Sequence, residues 1–198
     1  MNRAHNALVV YCHPLQDSYA AALLERVLAG LRASGAEVRL TDLYADGFEP
    51  TLGPDEHRRH LLPGVDPDVR SHASDLRWCD LLVLVYPTWW SGQPAMLKGW
   101  FDRVWGCDVA WSLEEGASML TPRLRNVRRL VVVTSHGSSK LVNALQGEGG
   151  KRTVTRSLRA MCHPRARTTW LALYGIDTCP AARRQRFLHR VERHLRRY

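Results

Sequence analysis

Apolar residues in this chain collect in short runs separated by longer stretches with a helical spacing. Ala7–Tyr11 and Leu81–Tyr86 are almost unbroken apolar runs, the pattern of strands covered on both faces. Leu130–Thr134 and Thr169–Tyr174 read as two further strands, and Glu37–Asp42 alternates, with Val38 and Leu40 on one face. Tyr19–Ala33 carries a helical stripe of Leu23, Val27, Gly30 and Leu31. Ser18 is a natural cap at its start, and Gly35 lies just past its end. Val69–Arg77, Pro94–Trp105 and Thr153–Met161 are the next helices, and the last begins near Pro180, with Phe187, Val191 and Leu195 every four residues and Leu188 beside them. Between Tyr44 and Asp68, prolines 50, 54, 63 and 67 break the pattern. That stretch reads as a surface excursion in which Asp55–Leu62 forms one or two helical turns. Five strands alternating with helices predict a doubly wound α/β sheet with right-handed crossovers and ligands at the carboxyl ends of its strands.

With 198 residues the expected organisation is one domain, residues 1–198, burying roughly 70% of its unfolded surface. An apolar content of 45% fits a soluble globule, and the longest apolar runs are far too short to form a transmembrane segment. The start of the chain lacks a secretory cleavage pattern, so the expected location is cytoplasmic. Cys12, Cys79, Cys107, Cys162 and Cys179 are scattered, odd in number and without a CxxC pair, which argues for reduced thiols and against a zinc site. Cys12 next to His13 is a poor catalytic pair, because neighbouring strand residues point to opposite faces.

The net charge of +9 is concentrated at one end. Residues 1–150 carry 15 basic and 17 acidic side chains, whereas residues 151–198 carry 13 and 2, or −2 against +11. Such a field attracts anions of many kinds. No nucleic-acid motif accompanies it, and the apolar stripe of the last helix commits one face to packing, so no specific nucleic acid partner is expected.

Three loops at the expected carboxyl edge carry the candidate chemistry. HPLQDSY, from His13 to Tyr19, places backbone amides at a helix start, where a phosphate is stabilised; it is not a GxxxxGK[ST] loop, so triphosphate chemistry is unsupported. In PTWWSGQP, Thr88, Trp89, Trp90, Ser91 and Gly92 lie between Pro87 and Pro94, combining main-chain groups with apolar walls suited to a planar ring. Packing in a core or between subunits is the competing use of those indoles. Thr134, Ser135, His136 and Gly137 end a strand with small residues that let amides approach a ligand. No G-x-S-x-G elbow is present, which weighs against a hydrolase.

YPTWWSGQPAMLKGWFDRVW, from Tyr86 to Trp105, closely resembles the NAD(P)H:quinone oxidoreductase family of flavodoxin-like flavoproteins, including its short bacterial members; HPLQDSY, LTDLYADGFEP, TSHG and WLALYGID extend the resemblance over essentially the whole chain. The resemblance implies a flavodoxin-like, three-layer α/β fold with a five-stranded parallel sheet. It also implies a homodimer with active sites at the subunit interface, and noncovalent FAD or FMN. The implied reaction is a ping-pong transfer of two electrons from NADH or NADPH to quinones or related electrophiles. Chain length and HPLQDSY lean the cofactor toward FAD. Carried onto this sequence, His13, Ser18 and Tyr19 contact the flavin phosphate region; Pro87, Thr88, Trp89 and Trp90 form the isoalloxazine loop; Thr134, Ser135, His136 and Gly137 form the second flavin loop.

His136 and Trp111 are the residues expected at the reacting end, His136 shaping the pocket or assisting proton transfer and Trp111 at an aromatic pocket position that is often Tyr in the family. Ala20 replaces a frequent Asn, and Gly149 stands where mammalian members carry a histidine proposed to move protons, so a mammalian-style Tyr/His relay is in doubt. Two other functions compete with the enzyme: an electron-transfer flavoprotein without its own turnover, and a regulatory protein that uses the basic C-terminus.

Overall fold

The computed structural model describes residues 5–198. Strands β1 (Asn6–Tyr11), β2 (Glu37–Asp42), β3 (Leu81–Pro87), β6 (Arg129–His136) and β7 (Arg167–Tyr174) form one parallel sheet in the order β2-β1-β3-β6-β7. A two-residue antiparallel ribbon, β4 (Trp111–Ser112) and β5 (Thr121–Pro122), lies outside it. The helices are α1 (Tyr19–Ala33), α2 (Pro54–Arg58), α3 (Arg70–Trp78), α4 (Ala95–Val104), α5 (Lys140–Leu145), α6 (Gly149–Arg152) and α7 (Ala181–Leu195). The fold is therefore the doubly wound α/β arrangement that the apolar pattern implies, with the five-stranded parallel sheet of the flavodoxin-like fold that the resemblance implies.

Strand alternation divides the core. Ala7, Val9, Leu81, Val83, Val131 and Val133 pack with Leu23, Val27 and Leu31 of α1 and Leu188, Val191 and Leu195 of α7. On the opposite face Leu8, Val10, Leu82, Leu84 and Val132 pack with Ala73 and Leu76 of α3 and Leu97, Trp100 and Val104 of α4. β1 and β3 are buried on both faces because helices cover both. β2 is the outer strand, and there the expected apolar face is only half realised: Val38 packs against the layer that contains α1, whereas Leu40 is exposed.

Three other differences follow from local chemistry. The expected helix 153–161 starts earlier, at Gly149, and widens into a π-helix over Thr153–Leu158. The excursion after β2 contains one short α-helix, whose first residue is Pro54, and ends in a 3-10 turn over Pro67–Val69. α5 was not legible as a helix, because six residues are too few to show a period.

α1 and α7 approach closely at Gly30, where an added Cβ would stand 2.6 Å from the Glu192 carbonyl oxygen and 2.8 Å from Leu195 Cβ. Neither neighbour is the end of a flexible side chain, so the helices must separate to admit a methyl group. We expect Gly30→Ala to destabilise the protein by about 1–3 kcal/mol in urea unfolding, despite the better helix propensity of alanine. An unchanged midpoint would show that this contact does not set the spacing of the layer.

Candidate functional site

β1, β3 and β6 end together, with Tyr11 in register with Val85 and Pro87 with Ser135. Thr88 extends the last pairing by donating its amide to the Ser135 carbonyl at 2.8 Å. The loops that follow β3 and β6 meet in a cleft of about 590 Å³. Pro87, Thr88, Trp89, Trp90, Ser135, His136 and Gly137 line it, joined by Ser91, Ser138, Asn143, Gln146, Ile176 and Asp177.

Trp89–Gly92 is a two-residue hairpin. Trp89 donates its amide to the Gly92 carbonyl at 3.2 Å, Gly92 returns the bond at 2.9 Å, and both central residues, Trp90 (φ 49°) and Ser91 (φ 59°), are left-handed. These dihedrals are those of a type I′ turn, which ordinarily selects Asn-Gly. Holding two residues with side chains there costs on the order of 1–3 kcal/mol each, so the surroundings must over-determine the turn. They do so through the segment after β6. Gly150 donates its amide to the Ser91 carbonyl at 2.8 Å, the Ser91 hydroxyl donates to Gln146, and Gln93 Nε2 donates to the Gly150 carbonyl at 2.8 Å. A Cβ on Gly150 would sit 2.8 Å from Gly92 Cα, so only glycine permits the approach. The result is a Trp90 side chain held fully in solvent at the cleft rim, with Trp89 partly exposed below it.

His136 is buried, stacked on Tyr174 with ring centroids 4.4 Å apart. Asn143 fixes its tautomer. The Asn143 Nδ2 donates to the Ser139 carbonyl at 2.8 Å, which turns Oδ1 toward His136 Nδ1 at 2.7 Å. Nδ1 must therefore carry the proton, and Nε2 presents a lone pair toward the Thr88 hydroxyl at 3.4 Å. Burial holds the His136 pKa below the ordinary histidine value, opposed by the bond to Asn143. The cleft thus contains a neutral, oriented imidazole. Thr134 is fully buried behind it, its hydroxyl 2.9 Å from that of Thr88.

The first loop lies beside this cleft and not in its wall. Leu15 donates its amide to His13 Nδ1 at 3.0 Å, and the His13 ring stands 6.4 Å from that of Trp89. Ser18 accepts from the Ala21 amide at 3.1 Å and so caps α1, while the Tyr19 hydroxyl donates to the Arg184 carbonyl at 3.0 Å. Trp111 is separate from both: it sits in the outer ribbon, nearly buried, with its ring 5.5 Å from His60. Cys12 is buried, its thiol pushed up to about 12 by desolvation, and offers no thiolate at neutral pH.

Ile176 and Asp177, on the loop after β7, were missed because a fourth loop can be assigned to the cleft only once the strand order is known. The strand-ending motif WLALYGID was the available signal. Asn143 and Gln146 were missed with α5 and the turn that follows it.

The donor set fits a flat, polar-edged ring. Among the described residues, the amides of Trp90, Ser91, Gly137 and Ser138 have no hydrogen-bond partner in the protein. The cleft carries one carboxylate, Asp177, and no Lys or Arg, so it is better matched to an uncharged ring system than to a phosphate. The Tyr19 and Ala20 amides at the start of α1 are also unpartnered and suit the phosphate instead.

A family model for the flavodoxin-like fold matches residues 5–194. Among curated relatives, an uncharacterized NAD(P)H oxidoreductase of Haemophilus influenzae is 30% identical over 132 residues, covering 66% of this chain and 65% of that one. NAD(P)H dehydrogenase [quinone] 1 of Rattus norvegicus is 30% identical over 166 residues, covering 75% of this chain and 59% of the rat protein. The chain thus spans somewhat less than two thirds of the length of these relatives. The solved NAD(P)H:quinone oxidoreductase of Methanothermobacter marburgensis superposes with a TM-score of 0.85 at 27% identity, covering 98% of each chain.

The depressed pKa of His136 gives a pH test of its burial. Below about pH 6.5 the unfolded chain takes up a proton that the folded state refuses, so stability is present above that pH and falls as pH drops toward the folded value. His72 contributes in the same direction, so the comparison must be between proteins. We expect His136→Asn to lose less stability than the wild type between about pH 7.5 and 5 in urea unfolding. Parallel pH profiles would contradict the buried, neutral assignment.

Proposed function

Because this chain belongs to the flavodoxin-like fold family, we propose that it is a flavin-dependent NAD(P)H oxidoreductase that passes two electrons to quinones or related electrophiles at the β3–β6 cleft. The observation that carries this reading is the pairing of unpartnered amides with indole walls at the carboxyl edge of the sheet. The names of the rat and Methanothermobacter relatives support the electron donor and acceptor classes.

In this reading Pro87, Thr88, Trp89, Trp90, Ser135, His136 and Gly137 border the ring system, with Thr134 supporting Thr88 from behind. His13, Ser18 and Tyr19 belong to the phosphate end, through the amides at the start of α1. FAD is the favoured flavin, with FMN the alternative, and either NADH or NADPH is the donor. Bound there, a flavin supplies two-electron exchange between a reduced nicotinamide and the acceptor, one after the other at a single site. The chain supplies position and electrostatics. Amides from two rigid turns stabilise negative charge at the ring edge without reorganising. His136 keeps the wall uncharged near neutral pH and turns its Nε2 lone pair toward the Thr88 hydroxyl, which is also 2.9 Å from that of Thr134. Trp111 lies outside its own chain's cleft, so a part for it in the reaction requires a second copy of the chain, as in a homodimer. A cytoplasmic location belongs to the same proposal; no helix among the described residues is long and apolar enough to cross a membrane.

The test is to purify the protein, release and identify its flavin, and follow its reduction by each nicotinamide and its reoxidation by a panel of quinones. We expect stoichiometric flavin, rapid reduction, and quinone loss that disappears when the flavin is stripped. Gly150→Ala, which pushes Gly92 and loosens the Trp90 turn, is expected to weaken flavin retention by about tenfold or more, a cost of some 1–3 kcal/mol. Failure to bind any flavin would end this reading, and binding without reduction by either nicotinamide would make the protein a carrier.

A further inference from the structure

The outer face of α7 carries a row of arginines that folding does not explain. Arg183, Arg186, Arg190 and Arg193 lie on the helix at alternating spacings of three and four residues, and Arg197 continues the row just past its end; all five are exposed. At 1.5 Å per residue the row is about 21 Å long. The opposite face is fixed, with Phe187, Leu188, Val191 and Leu195 buried and α1 packed against it at Gly30, so the row cannot rotate away from solvent.

This placement works against the helix. Like charges three and four residues apart destabilise it. Its first turn holds no acidic residue, although Arg183 and Arg184 stand near the end where the dipole disfavours cations. The one acid on the helix, Glu192, is engaged by Arg26 of α1 at 3.1 Å. An ordinary solvated face interleaves both signs, and this one does not. The positive field is felt locally: His194, itself depressed first by burial, is depressed further by Arg197 and Arg190. Open grooves run between the side chains, one bordered by Arg186, His189, Glu192 and Arg193, the next by Arg190, Arg193, His194 and Arg197.

We propose that this arginine row is a docking surface for an anionic lipid bilayer, on which the protein adsorbs peripherally. Its geometry favours a flat field of headgroups over nucleic acid. The row follows a straight helix for about 21 Å, whereas a duplex backbone curves away from such a line. The outer face offers no exposed aromatic for stacking on bases, since Phe187 is buried and Tyr198 partly so. It also carries no apolar residue to insert between lipids, so attachment is electrostatic and reversible by salt. Adsorption would bring the protein to a phase in which quinones dissolve; that consequence, unlike adsorption itself, rests on the oxidoreductase reading.

The test is co-sedimentation of the full chain with phosphatidylcholine vesicles, with and without phosphatidylglycerol, at an ionic strength of about 0.15 M. We expect partitioning to require phosphatidylglycerol and to fall about a hundredfold in the triple variant Arg186→Gln, Arg190→Gln, Arg193→Gln. Circular dichroism, flavin content and turnover of a soluble quinone are measured on both proteins, and the variant should match the wild type in each. Equal binding to both vesicle types, or undiminished binding by the folded variant, would overturn the proposal. Tighter retention on duplex DNA than on the anionic vesicles at the same salt would also overturn it, by assigning the row to nucleic acid. A wild type that binds anionic vesicles but carries no flavin would uphold the docking surface while ending the catalytic reading.

Discussion

Strands β1 and β3 are neighbours in the sheet, yet the chain leaves them toward opposite faces: β1 feeds α1, which packs with α7, and β3 feeds α4 on the other side. Two adjacent loops that diverge cannot pack on each other, so a crevice at the carboxyl edge is imposed by topology before any side chain is chosen. The first loop is thereby held apart from the loop after β3, and the cleft opens on the other side of that loop, between the segments that follow β3 and β6. Side chains at those strand ends decide what the cleft will accept.

What it accepts is set by two segments that hold each other. The left-handed pair Trp90–Ser91 would not persist in an isolated loop, and the segment 146–150 stabilises it through the Ser91 carbonyl, the Ser91 hydroxyl and the Gly92–Gly150 approach. In return, that segment is anchored to β3 through Gln93 and to β6 through Asn143 and His136. Strain in one turn and hydrogen bonding in the other are therefore parts of a single device. The turn leaves the Trp90 and Ser91 amides unpartnered at the cleft, and the loop after β6 leaves those of Gly137 and Ser138.

The layered fold was legible because its determinants are periodic. LLVLVY has the length and composition of a strand covered on both faces, and Leu23–Val27–Leu31 has the spacing of a helix face. The loops from Pro87 to Pro94 and Thr134 to Gly137 were legible from composition, and both reach the cleft. Ser18 and Tyr19 could be placed at a helix start, but not with respect to the cleft, because the partners of their side chains, the Ala21 amide and the Arg184 carbonyl, follow from cap geometry and from the packing of a helix more than 150 residues away. Trp111 shows the same limit: its neighbour His60 comes from the proline-broken excursion, where no period points to a contact. The left-handed turn at Trp90 was illegible for a different reason. Its conformation is imposed by Gly150, and no local propensity favours it.

Charge is partitioned as sharply as hydrophobicity. The cleft holds one carboxylate and no Lys or Arg, while the C-terminal quarter carries a net +11, much of it on the exposed side of α7. These two regions are joined by a short connection, since the loop that gives Ile176 and Asp177 to the cleft runs directly into α7. A redox cofactor buried among cations would have its reduced, more negative form favoured over the oxidised one; a wall of neutral donors and one acid avoids that bias. Keeping the arginines on the solvent side of a helix packed against α1 lets the molecule present a strong field to its surroundings, which solvent screens within about 8–10 Å. Segregation of this kind needs a helix whose buried face is apolar enough to tolerate repulsion on the other, and Phe187, Leu188, Val191 and Leu195 provide it.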